Sequence, residues 1–366
     1  MFNLFSDEKV NTGRQVEIDI AKALSIIFMI FCHTLMVVTA FGNSISPTYQ
    51  FIFSDILGKP CAAPIFMFCM GVGVVYSRHS QWDVMIKRGV KLYLTGILVN
   101  IFEFFRPCIA CGILLGQWDI FPTAGGLLLF CVDILAFAGM AFILMGILKK
   151  FNLSNKWLIV IAVTMSLIGS FLRFTDFGIP VLNLIFGHFI GTKGGFTAFP
   201  LFNWFIFPIA GFVWGQYFIR ANDKSGFFRF WPIFIIVSVI YFVWSTGFDG
   251  GFLSDNHHYY FMTTLDVVFC LIYAHGNIGL CYYLAKYLPD TVTKVFSILS
   301  SNILNIYIIQ WFLIPLGVIF LVYLFRNIVF SDLISSIYSI CILVISAALA
   351  LYYKKLTVKY KKNKIK

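Results

Sequence analysis

Charge is scarce in this chain. Only 12% of its 366 residues are Asp, Glu, Lys or Arg, against 60% hydrophobic, and the mean hydropathy is +0.88. That balance excludes an ordinary soluble domain, in which about 25% of residues are charged, and no hydrophilic stretch is long enough to fold separately. Low-complexity sequence is confined to the lysine-rich tail, and no internal repeat is visible, which weighs against transporter folds built from duplicated halves. A second CxxC is missing beside Cys108 and Cys111, as is any suitably spaced His. The pair therefore reads as structural or as a disulfide rather than as a complete metal site. Cys32, Cys69, Cys131, Cys270, Cys281 and Cys341 stand singly inside apolar stretches, where Cys acts as a small apolar residue. Small residues suited to cleavage do not follow the first apolar stretch, which is also too long for a signal-peptide core, so it reads as a retained first span. Basic aromatic patches suited to nucleic acid are absent.

What is abundant is lipid-compatible sequence, including 43 Phe. Apolar runs of roughly 17–25 residues, enough to cross a hydrocarbon core about 30 Å thick, recur along nearly the whole length. Ten spans are expected near 20–41, 61–77, 89–105, 124–148, 157–172, 199–219, 231–246, 261–285, 297–323 and 333–353. The fold class is all-α: a polytopic integral membrane helical bundle with both termini cytoplasmic. A short segment over 1–18 precedes a single transmembrane domain over 19–353, and a basic tail follows over 354–366. With the N-terminus inside, only Lys59, Arg106, Arg173, Lys193 and Arg326 of the 27 basic residues fall on the outer side, as expected because Lys and Arg resist translocation. The net charge of +11 thus reflects topology and attraction to anionic membrane lipid, with no nucleic-acid partner.

Inner loops are short and basic. The outer loops at 42–60, 106–123, 173–198 and 247–260 are longer and rich in Gly, Pro, aromatic and acidic residues, so a polar substrate is met outside. The 173–198 stretch has an apolar middle too short to span and reads as re-entrant or interfacial; its His188 reads as a headgroup or backbone contact. Glu103 and Arg106, three apart, are expected to pair with each other.

The most informative segment is RQVEIDIAKALSIIFMIFCHTLM, at the start of the first span. Asp19 and Lys22 lie at its cytoplasmic end, and His33 lies eleven residues beyond Lys22, which is about 16 Å deeper. An ionisable group at that depth must face the bundle interior or a wet cavity, and a His there can exchange a proton near neutral pH. A plain helix-to-helix hydrogen bond to Asn305 or Gln310 is the alternative.

This string resembles the start of the transmembrane acyltransferase superfamily, whose first span carries an acidic residue, an Arg and a His eleven residues after that Arg. Asp19, Lys22 and His33 occupy those places, with Lys22 replacing the planar fork of Arg by a point charge. The branch typified by heparan-alpha-glucosaminide N-acetyltransferase and its bacterial relatives is the most similar. APIFMFCMGVGVVYSR and IKRGVKLYLTGILVN resemble its second and third spans, VDILAFAGMAF its fourth, FPLFNWFIFPIAGFVWG its sixth and SSNILNIYIIQWF a late span. Gln310 stands where related proteins often have another His.

The resemblance implies transfer of an acyl group, commonly acetyl from cytoplasmic acetyl-CoA or another acyl-CoA, to a hydroxyl or amine of an extracytoplasmic sugar or glycolipid. A multi-pass protein of the bacterial cytoplasmic membrane is expected, with no metal. His33 is the expected catalytic residue, acting as general base or as a transient acyl carrier. The polyphosphate donor would suit a cationic inner face formed by Arg14, Lys22, Arg78, Lys87 and Arg88, together with Lys91. Asp133 is a candidate to orient His33 or to bind acceptor hydroxyls, with a structural hydrogen bond as the equal alternative. Asp266 is a further acceptor candidate; it lies about 180° around an ideal helix from His275, too far for a dyad. His257 and His258, with Asp249 and Asp255, resemble a sugar site or, less well, a metal site, and Trp244, Tyr259 and Tyr260 could stack on a sugar ring; the Asp, Asn and Gly of this loop also suit ordinary turns. A transporter or flippase would also put His33 and Asp133 in a wet bundle, and a scaffold without chemistry is the third alternative.

Overall fold

The computed structural model describes residues 4–41, 45–118, 130–194, 197–245, 252, 256–326 and 328–365. Among them, regular structure is helical apart from two isolated bridges, Phe5 with Ala221 and Thr175 with Thr192. In chain order the main helices are α1 (Val16–Ala40), α2 (Ala63–Tyr76), α3 (Trp82–Leu115), α4 (Ile134–Lys150), α5 (Asn155–Leu172), α6 (Ile206–Phe218), α7 (Lys224–Ser245), α8 (Thr264–Ala285), α9 (Asp290–Ser301), α10 (Ile303–Leu324) and α11 (Asp332–Ile365).

Among the described residues, seven of these (α1, α3, α5, α7, α8, α10 and α11) are long and apolar enough to cross a membrane. The protein is therefore a multi-pass membrane protein. Three expected spans are shorter than the about 20 residues a straight crossing needs: α2, α4 and α6 have 14, 17 and 13 residues. Each has a visible cause. A π-turn over Phe51–Ile56 and the turn after it lead into α2, α4 begins after the extended backbone of Asp133, with 124–129 of the expected span outside the described residues, and a separate turn over Leu201–Trp204 breaks from α6 at Phe205. The expected span at 297–323 divides at Asn302, and α9 forms a separate helix packed on α1.

Helix α3 corrects a further expectation. It continues through 106–115 instead of ending in an outer loop at 106, so Cys108 and Cys111 lie on a helix, where both are free thiols. Pro107 has no N–H to bond the carbonyl four residues back, and the helix widens into a π-turn over Ile101–Phe105 just before it. That turn carries Glu103.

Helices pack closely where side chains are missing. A β-carbon on Gly71 of α2 would overlap the Pro208 carbonyl of α6, and one on Gly211 of α6 would overlap the Phe68 carbonyl of α2. Gly139 of α4 meets the backbone of Tyr93 on α3 in the same way. In lipid there is no hydrophobic drive between helices, and such small-residue contacts let backbones approach. Around these pairs, α1 runs through the centre, packed against α2, α8, α9, α10 and α11.

The start of α1 is anchored by charge. Glu17, 3% exposed, pairs with Lys224 at 2.6 Å, while Asp19 pairs with Arg14 and accepts from Ser300 Oγ at 2.7 Å. Residues 4–11 lie along the turn after α6, with Ser6 N donating to Arg220 O at 2.8 Å and Asn11 Nδ2 to Ala221 O at 2.7 Å. The 173–198 stretch runs out and back: Lys193 N bonds Thr175 O at 2.9 Å around a short helix, Pro180–Gly187. At its turn, Asn183 Nδ2 and Gly178 N hold the Asp176 carboxyl below the usual carboxylate range. His188 bonds the Leu184 carbonyl of its own turn at 2.8 Å and Tyr93 Oη of α3 at 3.1 Å.

Candidate active site

His33 lies in the second half of α1, on the wall of a cavity of about 780 Å³. Helix α10 fixes its ring. Trp311 stacks on it with ring centres 4.2 Å apart, Tyr307 meets it edge-on at 6.4 Å, and Gln310 Nε2 lies 3.1 Å from Nδ1. Tyr307, Gln310 and Trp311 are one helical turn of α10, which is why one short segment holds the imidazole from several sides. The expected hydrogen bond to Gln310 is thus present, in addition to the cavity. An amide rotated about its last torsion presents oxygen in place of nitrogen. With Oε1 accepting from Nδ1–H, the lone pair of Nε2 is left for chemistry.

Asp133 lines the same cavity but does not bond His33 directly: it accepts the Tyr307 hydroxyl. Its link to His33 therefore runs through Tyr307. Glu103 is also on the wall, and the expected pairing with Arg106 is not made. Arg106 donates to the Phe312 carbonyl and lies 3.9 Å over the Phe312 ring, because α10 offers a closer partner than the next turn of its own helix. Lys59, 4% exposed, sits on the wall bonded to Asp55 at 3.0 Å. His258, Tyr259 and Tyr260 complete the rim, His258 edge-on to Phe174 at 5.2 Å.

At the other end of α1 lies a second cavity, of about 380 Å³, lined by Arg14, Lys22, Arg78 and Tyr76 among others. Three of the five expected donor-binding residues meet there. Arg14 is already committed to Asp19, Ser297 O and Ser301 Oγ. Lys22 and Arg78 make no hydrogen bond or ion pair among the described residues, which suits them to a polyanionic ligand. Lys87 and Arg88 are not brought to this cavity. Lys87 is exposed beside Asp83 at 3.6 Å, and Arg88 lies 4.7 Å over the Phe142 ring, because they stand on the α3 face turned to α4 and solvent.

The two cavities share α1 and α2 but do not meet. Between Lys22 and Met29 the wall is closed by Ala23, Ser25 and Ile26, all 0% exposed, and Ser25 Oγ donates to Cys61 O at 2.8 Å.

The remaining candidates lie apart. Asp266 forms a capping box with Thr263 at the start of α8 and accepts the Tyr241 hydroxyl at 2.6 Å, so both of its oxygens are engaged and it does not reach the cavity. Asp266→Ala is expected to cost about 1–3 kcal/mol of stability, measured by thermal unfolding. Trp244 is exposed against Tyr241, away from the cavity, because it faces outward from α7. His275 accepts from Trp214 Nε1 at 2.9 Å within an aromatic nest of Phe227 and Phe228. Asp249, Asp255 and the side chain of His257 fall outside the described residues.

The family described as heparan-alpha-glucosaminide N-acetyltransferase, catalytic, matches residues 14–245. The chain belongs to this family. It is thereby a membrane protein of an acetyltransferase family, as the resemblance of the first spans implied. No curated protein and no solved structure matches the chain. The N-acetyltransferase match contains His33, Lys22, Glu103 and Asp133 but stops short of α10. The α10 residues that hold the His33 ring, Tyr307, Gln310 and Trp311, thus come from outside the matched residues. Trp311 and Tyr307 were missed in the sequence because aromatic residues in an apolar span read as lipid-facing or core. Glu103 was missed because Arg106 offered a simpler partner, although a lone acid in an apolar span is itself a functional signal.

Proposed function

We propose that the protein is a membrane-embedded acyltransferase that moves an acetyl group from acetyl-CoA, held at the basic cavity, to a hydroxyl or amine of a sugar or glycolipid in the large cavity. The observation that carries this reading is His33 on the wall of that cavity, with Lys22 of a cationic cavity eleven residues earlier on the same α1. In this reading the chain spans the bacterial cytoplasmic membrane ten times, with α2, α4 and α6 crossing alongside the seven longer helices, as one domain with both termini and the basic tail in the cytoplasm.

Lys22 and Arg78 hold the donor's phosphates, and the slender pantetheine arm follows the α1–α2 seam, which parts near Ser25 to admit it. His33 Nε2 takes the proton of the acceptor as the acceptor attacks the thioester carbonyl. The C–S bond breaks, and the imidazolium returns the proton to the leaving sulfur. A route in which His33 carries the acetyl group first uses the same geometry.

Calorimetry with acetyl-CoA tests the donor half. Wild type is expected to bind saturably, Lys22→Ala to lose about tenfold or more in affinity, and His33→Ala to bind as wild type does. Flux of an unmodified solute through proteoliposomes, with no acetyl transfer, would replace the enzyme by a transporter.

A further inference from the structure

A third cavity, of about 440 Å³, lies at the end of α2 that also walls the basic cavity. It opens where two tight helix pairs meet. Within each pair the contact stays closed to this end: a β-carbon on Gly146 of α4 would overlap Ile86 and the Trp82 carbonyl of α3, and one on Gly215 of α6 would press on Val72 and Val75 of α2. The space between the pairs is not filled. Val74 of α2, Met85 of α3, Met145 and Leu148 of α4, Leu158 of α5 and Ile209 of α6 line it, and all six are buried. Protein interiors are close-packed, and an apolar hollow stays dry while the groups around it forfeit dispersion contacts. Its volume falls within the roughly 300–1,000 Å³ of ordinary ligand pockets. The hollow suits an apolar occupant, and the apolar group that surrounds a membrane helix is a lipid chain.

The mouth has the opposite character. Lys149, in the last turn of α4, stands there with Ser154, Asn155 and Gln216, and none of the described lining residues is acidic. Asn152 takes the left-handed backbone, φ 51°, with which α4 turns directly into α5, so Lys149 comes beside the N-terminus of α5. Ser154 occupies the N-cap of α5 without a side-chain capping bond, which leaves the first N–H groups of that helix free of a side-chain acceptor. Lys149 donates to Ser80 O, and an ammonium has two further protons to give. Across the mouth, Asn155 Nδ2 donates to Gln216 Oε1 at 3.0 Å and ties α5 to α6.

An apolar hollow beneath a cationic mouth complements an amphiphile with an anionic head. We infer that this cavity binds one anionic phospholipid from the leaflet on the Lys22 side, with a chain in the hollow and the phosphate between Lys149 and the start of α5. The bilayer around the helices is made of such molecules, so the site draws its ligand from its own solvent. The chain completes the packing between the α2–α6 and α3–α4 pairs, which their glycine contacts close only internally. Because Lys149 also holds Ser80, the head lies beside the turn that carries Arg78 of the basic cavity. The inference stands apart from the acyltransferase reading and needs no acceptor.

The test is native mass spectrometry of the delipidated full-length protein in detergent, titrated with phosphatidylglycerol, phosphatidylcholine or palmitate, with thermal unfolding of the same samples. Wild type is expected to retain one phosphatidylglycerol per chain, to bind it about fivefold more tightly than phosphatidylcholine, as one lysine at the headgroup implies, and to gain in Tm when it binds. Lys149→Gln is expected to lose the preference between the two lipids. Leu158→Trp, whose indole would occupy the hollow, is expected to lose the retained lipid and to show a Tm that phosphatidylglycerol no longer moves. The comparison of lipids in wild type needs no substitution, so it decides the matter even where a variant fails to fold. Equal binding of phosphatidylglycerol and phosphatidylcholine by wild type, or retention of phosphatidylglycerol by folded Leu158→Trp as by wild type, would overturn the site. Palmitate bound as tightly as phosphatidylglycerol would overturn the assignment to a phospholipid and put a fatty acid in its place.

Discussion

His33→Ala protein is expected to fold, to bind acetyl-CoA as wild type does, and to transfer acetyl groups about 10²–10⁴-fold more slowly. The magnitude follows from the loss of a positioned base at the reacting atom. Folding should survive because His33 is half-buried on a cavity wall, and its removal uncovers Gln310 and Trp311 without opening a helix contact. Single-turnover rates on monodisperse protein check this, and turnover within a few-fold of wild type would remove His33 from the chemistry. The same role fixes the sign of the pH response. Neutral imidazole is the working form, so wild-type kcat should fall as pH is lowered through the protonation of His33 and level off above it.

The second large effect is structural. Gly71→Leu is expected to prevent recovery of monodisperse protein, or to lower stability by about 3 kcal/mol or more, because its side chain would enter the Pro208 carbonyl where α2 and α6 touch backbone to backbone. Gly211→Leu should do the same from the opposite side. Gly73, two residues along α2, has nothing within 4 Å of its would-be β-carbon, and Gly73→Ala should leave stability unchanged or raise it by about 0.5–1 kcal/mol. Thermal unfolding of the three variants side by side separates close packing from a general intolerance of α2 to substitution.

What could be read in advance was governed by how local the physics was. Hydropathy over 20 residues needs no partner, and it found the helices. The depth of His33 depends only on helical rise, so its place on a cavity wall was legible from Lys22 onward. The partnerships were less so. Arg106 stands three residues from Glu103, yet it goes to Phe312, more than two hundred residues away in the chain. The lengthening of α3 hung on how Pro107 is absorbed into a π-turn, which hydropathy does not register. Asp133 was a candidate to orient His33, and it shares the cavity wall with it, but the Tyr307 hydroxyl that it accepts depends on the register of α10 against α4. Lys87 and Arg88 looked like part of a basic surface with Lys22, and the helical turn carries them to a different face. Asp266 shows the reverse case. Its capping box with Thr263 spans only three residues and was open to inspection, but an acid in an apolar span suggested chemistry first.

The closed seam at Ala23, Ser25 and Ile26 also determines where the membrane voltage is felt. In the proposed topology the two cavities face opposite sides of the membrane, and the electrical drop that a bilayer spreads over about 30 Å would then fall mainly across the seven helical steps from Lys22 to Met29, roughly 10 Å. A unit charge crossing there would gain or lose about 2.3 kcal/mol per 100 mV. An acetyl thioester is uncharged at the reacting end, so in the proposed reaction the group crosses this steep field without electrical work. The proposed reaction would thus carry an acyl group through an energised membrane without opening a path for ions.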